Sequence, residues 1–299
     1  MFKRDAETSS AWHACMYSPE LIKKIHTELQ AAFPKNLVLL GGSYLYGEAN
    51  EDSDLDFYII CPLWQIFFLS QLKTFPPSMH EKYSAVEMSI TIIPQIFFDH
   101  GWYYVYGRDT KEQIRRSTIN TVAVMRNCLK LALYHYLKLC VKIDHKERRQ
   151  ALFKIAQQLS AIKFLQTKFP TQESPFSSKI LSDYLEKTGE QKLAPLLYIL
   201  KNKIQNNVPT DEQTTHYRQA LEGLLTSIGS ELRLCVNQFS FINYIIYNVH
   251  FLRKGKPLFL FQNPDRMILR KMLAGITREE GRLELYKEMK QIVFPVIIF

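Results

Sequence analysis

The sequence predicts an α+β chain, a small α/β domain with a mixed sheet over residues 1–110 followed by an α-helical bundle over 111–299. Three observations predict it. Before residue 110 the apolar residues come in short runs of strand length, at Leu37–Leu40, Leu55–Ile60 and Val86–Ile93. Beyond it they recur every three or four residues over long stretches, and residues 118–142 contain neither Gly nor Pro. With 299 residues, 46% apolar and 22% charged, the chain has core material for two domains.

The elements follow in order. Ser18 is an N-cap and Pro19 opens a helix whose Leu21, Ile22, Ile25 and Leu29 share one stripe, ending near Pro34. Residues 36–40 read as a buried strand running into Gly41-Gly42, and Leu55–Ile60 as a second strand that begins at the acidic string Asp52, Asp54, Asp56. Residues 85–93 alternate, with Val86, Met88, Ile90 and Ile92 on one face and Glu87, Ser89 and Thr91 on the other, the mark of a third strand. Residues 102–109 give a short fourth strand ending at Gly107. Helical periodicity then covers 118–142, 148–169, 178–188, 191–204, 217–239 and 282–293, with Pro-, Asn-, Ser- and Gly-bearing loops at 170–178, 206–216 and 253–266.

Composition narrows the partners. Lys and Arg number 38 against 29 Asp and Glu, a net charge of +9 that favours nucleotides, nucleic acid or acidic surfaces. Cys15, Cys61, Cys128, Cys140 and Cys235 stand singly, which argues against a disulfide framework or a zinc array and fits a reducing cytosol. The N-terminus carries no uninterrupted apolar run of the kind a secretion signal needs. No stretch reaches the roughly 18 apolar residues of a membrane span, so a soluble, cytoplasmic protein without membrane contact is expected.

The chemistry concentrates in Leu37–Ile60. A strand period of two puts Asp54 and Asp56 on one face, separated by two rises of about 3.3 Å. Two carboxylates so close repel unless a cation lies between them, and Mg²⁺, which takes one or two carboxylates plus phosphate oxygens, suits the pair. An EF-hand is excluded, because Phe57 stands where the loop needs Gly and Leu63 where it needs Glu. A Walker P-loop is excluded too, since no Gly-Lys-Ser/Thr follows Gly41. Gly42-Ser43, at the turn out of a strand, leaves backbone N–H groups and a hydroxyl able to approach phosphate.

Gly42-Ser43, ten intervening residues and Asp54-Leu55-Asp56, bracketed by apolar strands, resemble the signature of the nucleotidyltransferase superfamily that includes DNA polymerase beta. Gly47 and the Asp52–Asp56 context are most similar to its minimal and aminoglycoside-type branches, and residues 104–109 resemble the turn that often closes the catalytic domain there. The resemblance covers roughly residues 20 to 110. It implies a Mg²⁺-dependent enzyme in which an acceptor hydroxyl attacks the α-phosphate of an NTP and pyrophosphate leaves. It further implies two Mg²⁺ ions held by Asp54, Asp56 and, as third carboxylate, Glu87, with Gly42 and Ser43 on the β and γ phosphates. The acceptor stays open among a small-molecule hydroxyl such as an aminoglycoside, the 3′ end of a tRNA and a protein hydroxyl. A toxin-like transferase and a catalytically silent nucleotide-binding protein are the alternatives.

Basic residues supply further candidates. Arg108 and Lys111, with Lys82, Arg115 and Arg116, are candidate contacts for triphosphate or acceptor, against a reading as surface charge. Arg126 and Lys130, four apart on one helix, either face a cleft or form a solvent-facing stripe. Lys146–Arg149, and Arg266, Arg270 and Lys271, are candidate RNA-backbone contacts, although no RNA-binding motif accompanies them. The apolar end, residues 292–299, is expected to pack against the helical domain or to serve self-association.

Overall fold

The computed structural model describes residues 17–49, 53–68, 78–99, 105–116, 120–142, 144–167, 174–205, 207, 209–232, 244–245, 247–248, 263–292 and 297–298. Cys15, Asp52, Cys235 and most of the apolar end lie outside the described residues. The chain divides into two compact units, Met1–Asn120 with Val296–Phe299, and Thr121–Pro295. The first therefore runs to Asn120 where the sequence predicts a boundary at 110, because the residues after 110 form another strand of its sheet.

In the first unit, Ser18 Oγ accepts from the Leu21 N–H at 3.2 Å and Pro19 supplies the first turn of α1 (Pro19–Ala32). Its buried Ile22, Ile25 and Leu29 share a core with Val38 of β1 (Leu37–Gly41), Phe57 and Ile59 of β2 (Leu55–Cys61), and Ile90 and Ile92 of β3 (Met88–Pro94). Each such side chain contributes about 1.5–3 kcal/mol when fully buried. That fixes register, since a slip by one residue would turn Asp56 and Tyr58, half-buried on the other face, into this core.

The sheet has six strands in the order β5-β4-β1-β2-β3-β6, with β4 at Tyr106–Arg108, β5 at Ile114–Arg116 and β6 at Ile297–Ile298. It is mixed, as the sequence predicts. β1 runs antiparallel to β2, from Leu37↔Ile60 to Gly41↔Asp56. β2 runs parallel to β3, from Leu55↔Met88 to Cys61↔Pro94. The end of β1 and the starts of β2 and β3 consequently meet at one edge. Short helices follow these strands: α2 (Gly42–Tyr46), α3 (Leu63–Phe68) and α4 (Gln95–Asp99).

Two strands escape the sequence reading. β5, Ile-Arg-Arg with all three residues exposed, has no apolar alternation to betray it. β6 corrects the expectation for the chain end: Ile297 and Ile298 pair with Ile92 and Thr91 of β3, extending the sheet of the first unit. Those two residues are satisfied there by backbone pairing.

The second unit is helical. α5 (Thr121–Val141) is buried on most of its circumference and is in contact with α6 (His145–Thr167), α9 (Asp211–Glu231), α10 (Pro264–Thr277) and α11 (Arg282–Ile292), so it is the hub of the bundle. α7 (Ser178–Thr188) and α8 (Ala194–Ile204) pack on each other and on α6. α9 begins at Asp211 where the sequence reading begins at Tyr217, because Thr210 and Gln213 form a capping box with bonds of 3.2 and 2.9 Å. α10 lies where the reading marks only basic charges, and Asn263 caps it ahead of Pro264. Among the described residues no helix is long and apolar enough to cross a membrane.

Candidate active site

The edge where β1 ends and β2 and β3 begin collects the acidic residues. Asp54 stands immediately before β2, Asp56 is its second residue, and Glu87 stands immediately before β3. The Leu55 N–H donates to the Glu87 carbonyl at 2.9 Å, so Glu87 is tied to the residue between the two aspartates. Strand alternation turns Asp54, Asp56 and Tyr58 to one face, and the parallel register, Asp56 beside Ser89, turns Glu87 to the same face. The Tyr58 phenol feels the two aspartates of this face. Burial pushes its pKa well above the usual range, and the charges of Asp56, then of Tyr46 and Asp54, push it further.

The paired glycines have separate reasons. At Gly41, opposite Asp56 in the β1–β2 ladder, a Cβ would run into the Tyr58 ring, with Cδ2 at 3.1 Å and Cε2 closer. At Gly42 a Cβ would stand 2.9 Å from Asp56 Cγ and nearer still to Oδ2. Gly42 also has φ +65°, in the left-handed region where glycine is favoured. The carboxylate of Asp56 therefore rests directly on the turn that carries half-exposed Ser43. Gly47, φ +69°, ends α2 by donating its N–H to the Ser43 carbonyl.

The basic candidates divide. Lys111 is exposed on the turn between β4 and β5, and its N–H, like that of Gln113, donates to Asp109 Oδ1 at 3.0 Å. Arg108 pairs with Leu40, which places it on the core face of the sheet, away from the face of Asp56. Gly107, just before Arg108, packs so tightly on β1 that a Cβ would stand 2.7 Å from that of Leu39. Lys82 pairs with Glu28 at 2.6 Å, and Arg115 with Asp109 at 3.4 Å. Asp109, given no role in the sequence reading, is the clamp of this hairpin. Burial raises its pKa, yet the N–H groups of Gln113 and Lys111 and the Arg115 guanidinium outweigh that and hold it below the usual carboxylate range.

Arg126 and Lys130 are neither cleft contacts nor a solvent-facing stripe. Both are 3% exposed inside the helical unit and share Asp265, Arg126 Nη1 at 3.2 Å from Oδ2 and Lys130 Nζ at 2.9 Å from Oδ1. Lys130 also donates to Tyr247 Oη at 2.7 Å. Sequence periodicity puts both cations on a helix but does not reveal a carboxylate 135 residues away. The candidate RNA contacts are partly spent as well: Arg148 lies 3.6 Å from Asp211 and Lys271 2.6 Å from Glu288.

Asp54, Asp56 and Glu87 are hard oxygen donors, the type Mg²⁺ and Mn²⁺ prefer. Among the described residues no three His, Cys, Asp or Glu side chains stand close enough together to hold a metal, so Asp54, Asp56 and Glu87 share a face without forming the expected three-carboxylate site. Mg²⁺ commonly takes only one or two carboxylates and completes its shell with water and substrate phosphates, a donor chemistry that Asp54 and Asp56 fit. Residues 22–119 match the family described as nucleotidyltransferase domain, and this match supports a transferase that acts on an NTP. No curated protein and no solved structure matches the chain.

Proposed function

We propose that the first unit transfers a nucleoside monophosphate from an NTP to an acceptor hydroxyl, releasing pyrophosphate, in a Mg²⁺-dependent reaction. The observation that carries this reading is the contact of the Asp56 carboxylate with Gly42, which brings an acidic side chain against the glycine-serine turn. Asp54 and Asp56 hold the cations, and Glu87, exposed just before the neighbouring strand, completes the set near the acceptor and takes its proton. Gly42 and Ser43 receive the β and γ phosphates through backbone N–H groups and the hydroxyl. Exposed Lys111 is a further triphosphate contact, and Arg108, which the register sets on the other face of the sheet, is the weaker candidate for one. Two Mg²⁺ ions bound there supply charge neutralisation on the attacking and leaving oxygens. Positioning by a rigid sheet edge accounts for the rest of the acceleration.

A small-molecule hydroxyl is the acceptor class this reading takes first. The charge of +9 favours a second, in which tRNA or a protein is modified. Cys61, Cys128 and Cys140 are free thiols, in keeping with a cytoplasmic setting. Incubation with each α-labelled NTP, Mg²⁺ and a cell extract tests the proposal. Label should enter one size class, small molecule, RNA or protein, and Asp56→Asn should abolish it. Binding of Mg-NTP with no label transfer in any class would leave the silent reading in its place.

A further inference from the structure

The backbone of Glu87 is held on both sides. Its carbonyl accepts from Leu55, between Asp54 and Asp56, and its N–H donates to the hydroxyl of Tyr17 at 2.8 Å. Tyr17 is 5% exposed, and its ring stacks on Tyr44 of α2, centroids 6.1 Å apart and planes 25° from parallel. Tyr44 lies two residues beyond Gly42, whose Cα faces the Asp56 carboxylate. The contacts therefore close a ring: Gly42 to Asp56, Leu55 to Glu87, Glu87 to Tyr17, and Tyr17 to the helix that Gly42 begins.

We propose that Tyr17 is a positioning residue that sets the third carboxylate, Glu87, relative to the glycine-serine turn. This rests on the nucleotidyl-transfer reading of the site. Glu87 is exposed and precedes its strand, so the ladder alone does not fix it at its N-terminal side. A phenol on a buried ring is a stiff acceptor, and the stack ties its place to α2. Burial of the ring needs only an apolar side chain; the bond to the Glu87 N–H needs the oxygen. Tyr17 lies outside the residues matched to the family, 22–119.

Tyr17→Phe keeps the ring and removes the oxygen, and Tyr83→Phe, another buried tyrosine of the same core, is the control. Amide exchange at Glu87 in the metal-free protein should rise about five- to tenfold in Tyr17→Phe and stay unchanged in Tyr83→Phe. Mn²⁺ affinity, titrated with the α,β-methylene analogue of ATP, should fall about three- to tenfold in Tyr17→Phe at an unchanged affinity for the analogue alone. Unchanged exchange, or faster exchange with unchanged Mn²⁺ affinity, leaves Tyr17 a core residue and overturns the proposal. Asp56→Asn, titrated alongside, separates the two levels. If it loses the Mn²⁺ while Tyr17→Phe does not, only the positioning role fails; if it binds as wild type, the reading of the site fails and the role with it.

Discussion

Replacing Gly42 by alanine separates two costs that the structure assigns to different glycines. Gly42 and Gly47 both sit in the left-handed region, at φ +65° and +69°, so alanine at either costs about 1–2 kcal/mol of stability. Nothing lies within 4 Å of a Cβ at Gly47. At Gly42 the new carbon stands 2.9 Å from Asp56 Cγ, inside the ordinary contact limit of 3.4 Å, and closer to Oδ2, so the carboxylate must move. A shift of about 1 Å in a positioned catalytic group costs on the order of 100-fold in rate. Urea unfolding should therefore rank the two variants together, while label transfer from an α-labelled NTP should fall about 100-fold in Gly42→Ala and about threefold or less in Gly47→Ala. Equal rate losses in both variants, or a Gly42→Ala enzyme at the wild-type rate, would refute the role given to the Gly42–Asp56 contact.

Other perturbations reach the rest of the molecule. Asp265→Asn leaves the buried Arg126 and Lys130 without their shared carboxylate and should cost about 3–5 kcal/mol in urea unfolding of the full chain. Burial, with the charges of Lys154 and Lys138, lowers the His135 pKa from 6.5 to about 3. The folded chain thus binds fewer protons than the unfolded one below 6.5, stability is complete above that pH, and it should drop by about 1.4 kcal/mol by pH 5.5, a loss absent in His135→Gln. Asp109, held below its usual 3.8, contributes stability that is present above that value and lost as pH falls through its folded pKa. Hydrogen exchange of the Lys111 and Gln113 amides should accordingly keep its protection as pH falls to 3.8 and lose it only below that value, and in Asp109→Ala be unprotected throughout.

What the sequence could show depended on whether the determining contact was local. Ser18-Pro19, the apolar run of β2, the alternation of β3, and the Gly-Gly-Ser turn are local patterns, and each forms the element its pattern predicts. The face shared by Asp54, Asp56 and Glu87 follows from a period of two plus a parallel register that the sequence does not state. β6 lies beyond the helical unit, and two isoleucines carry no sign of pairing with β3. Arg126 and Lys130 look like surface charge until Asp265 is placed beside them. The start of α9 was legible in principle, since Thr210 and Gln213 have capping-box spacing, but Pro209 and the polar residues around them read as a loop.

The most direct test follows two labels at once in the reaction mixture containing Mg²⁺ and the extract acceptor. With α- and γ-labelled NTP, the α label should join the acceptor while the γ label leaves in pyrophosphate in equal amount, and both should stop in Asp54→Asn and Asp56→Asn. Arrival of the γ label on the acceptor, or α transfer that persists without those carboxylates, would contradict the account.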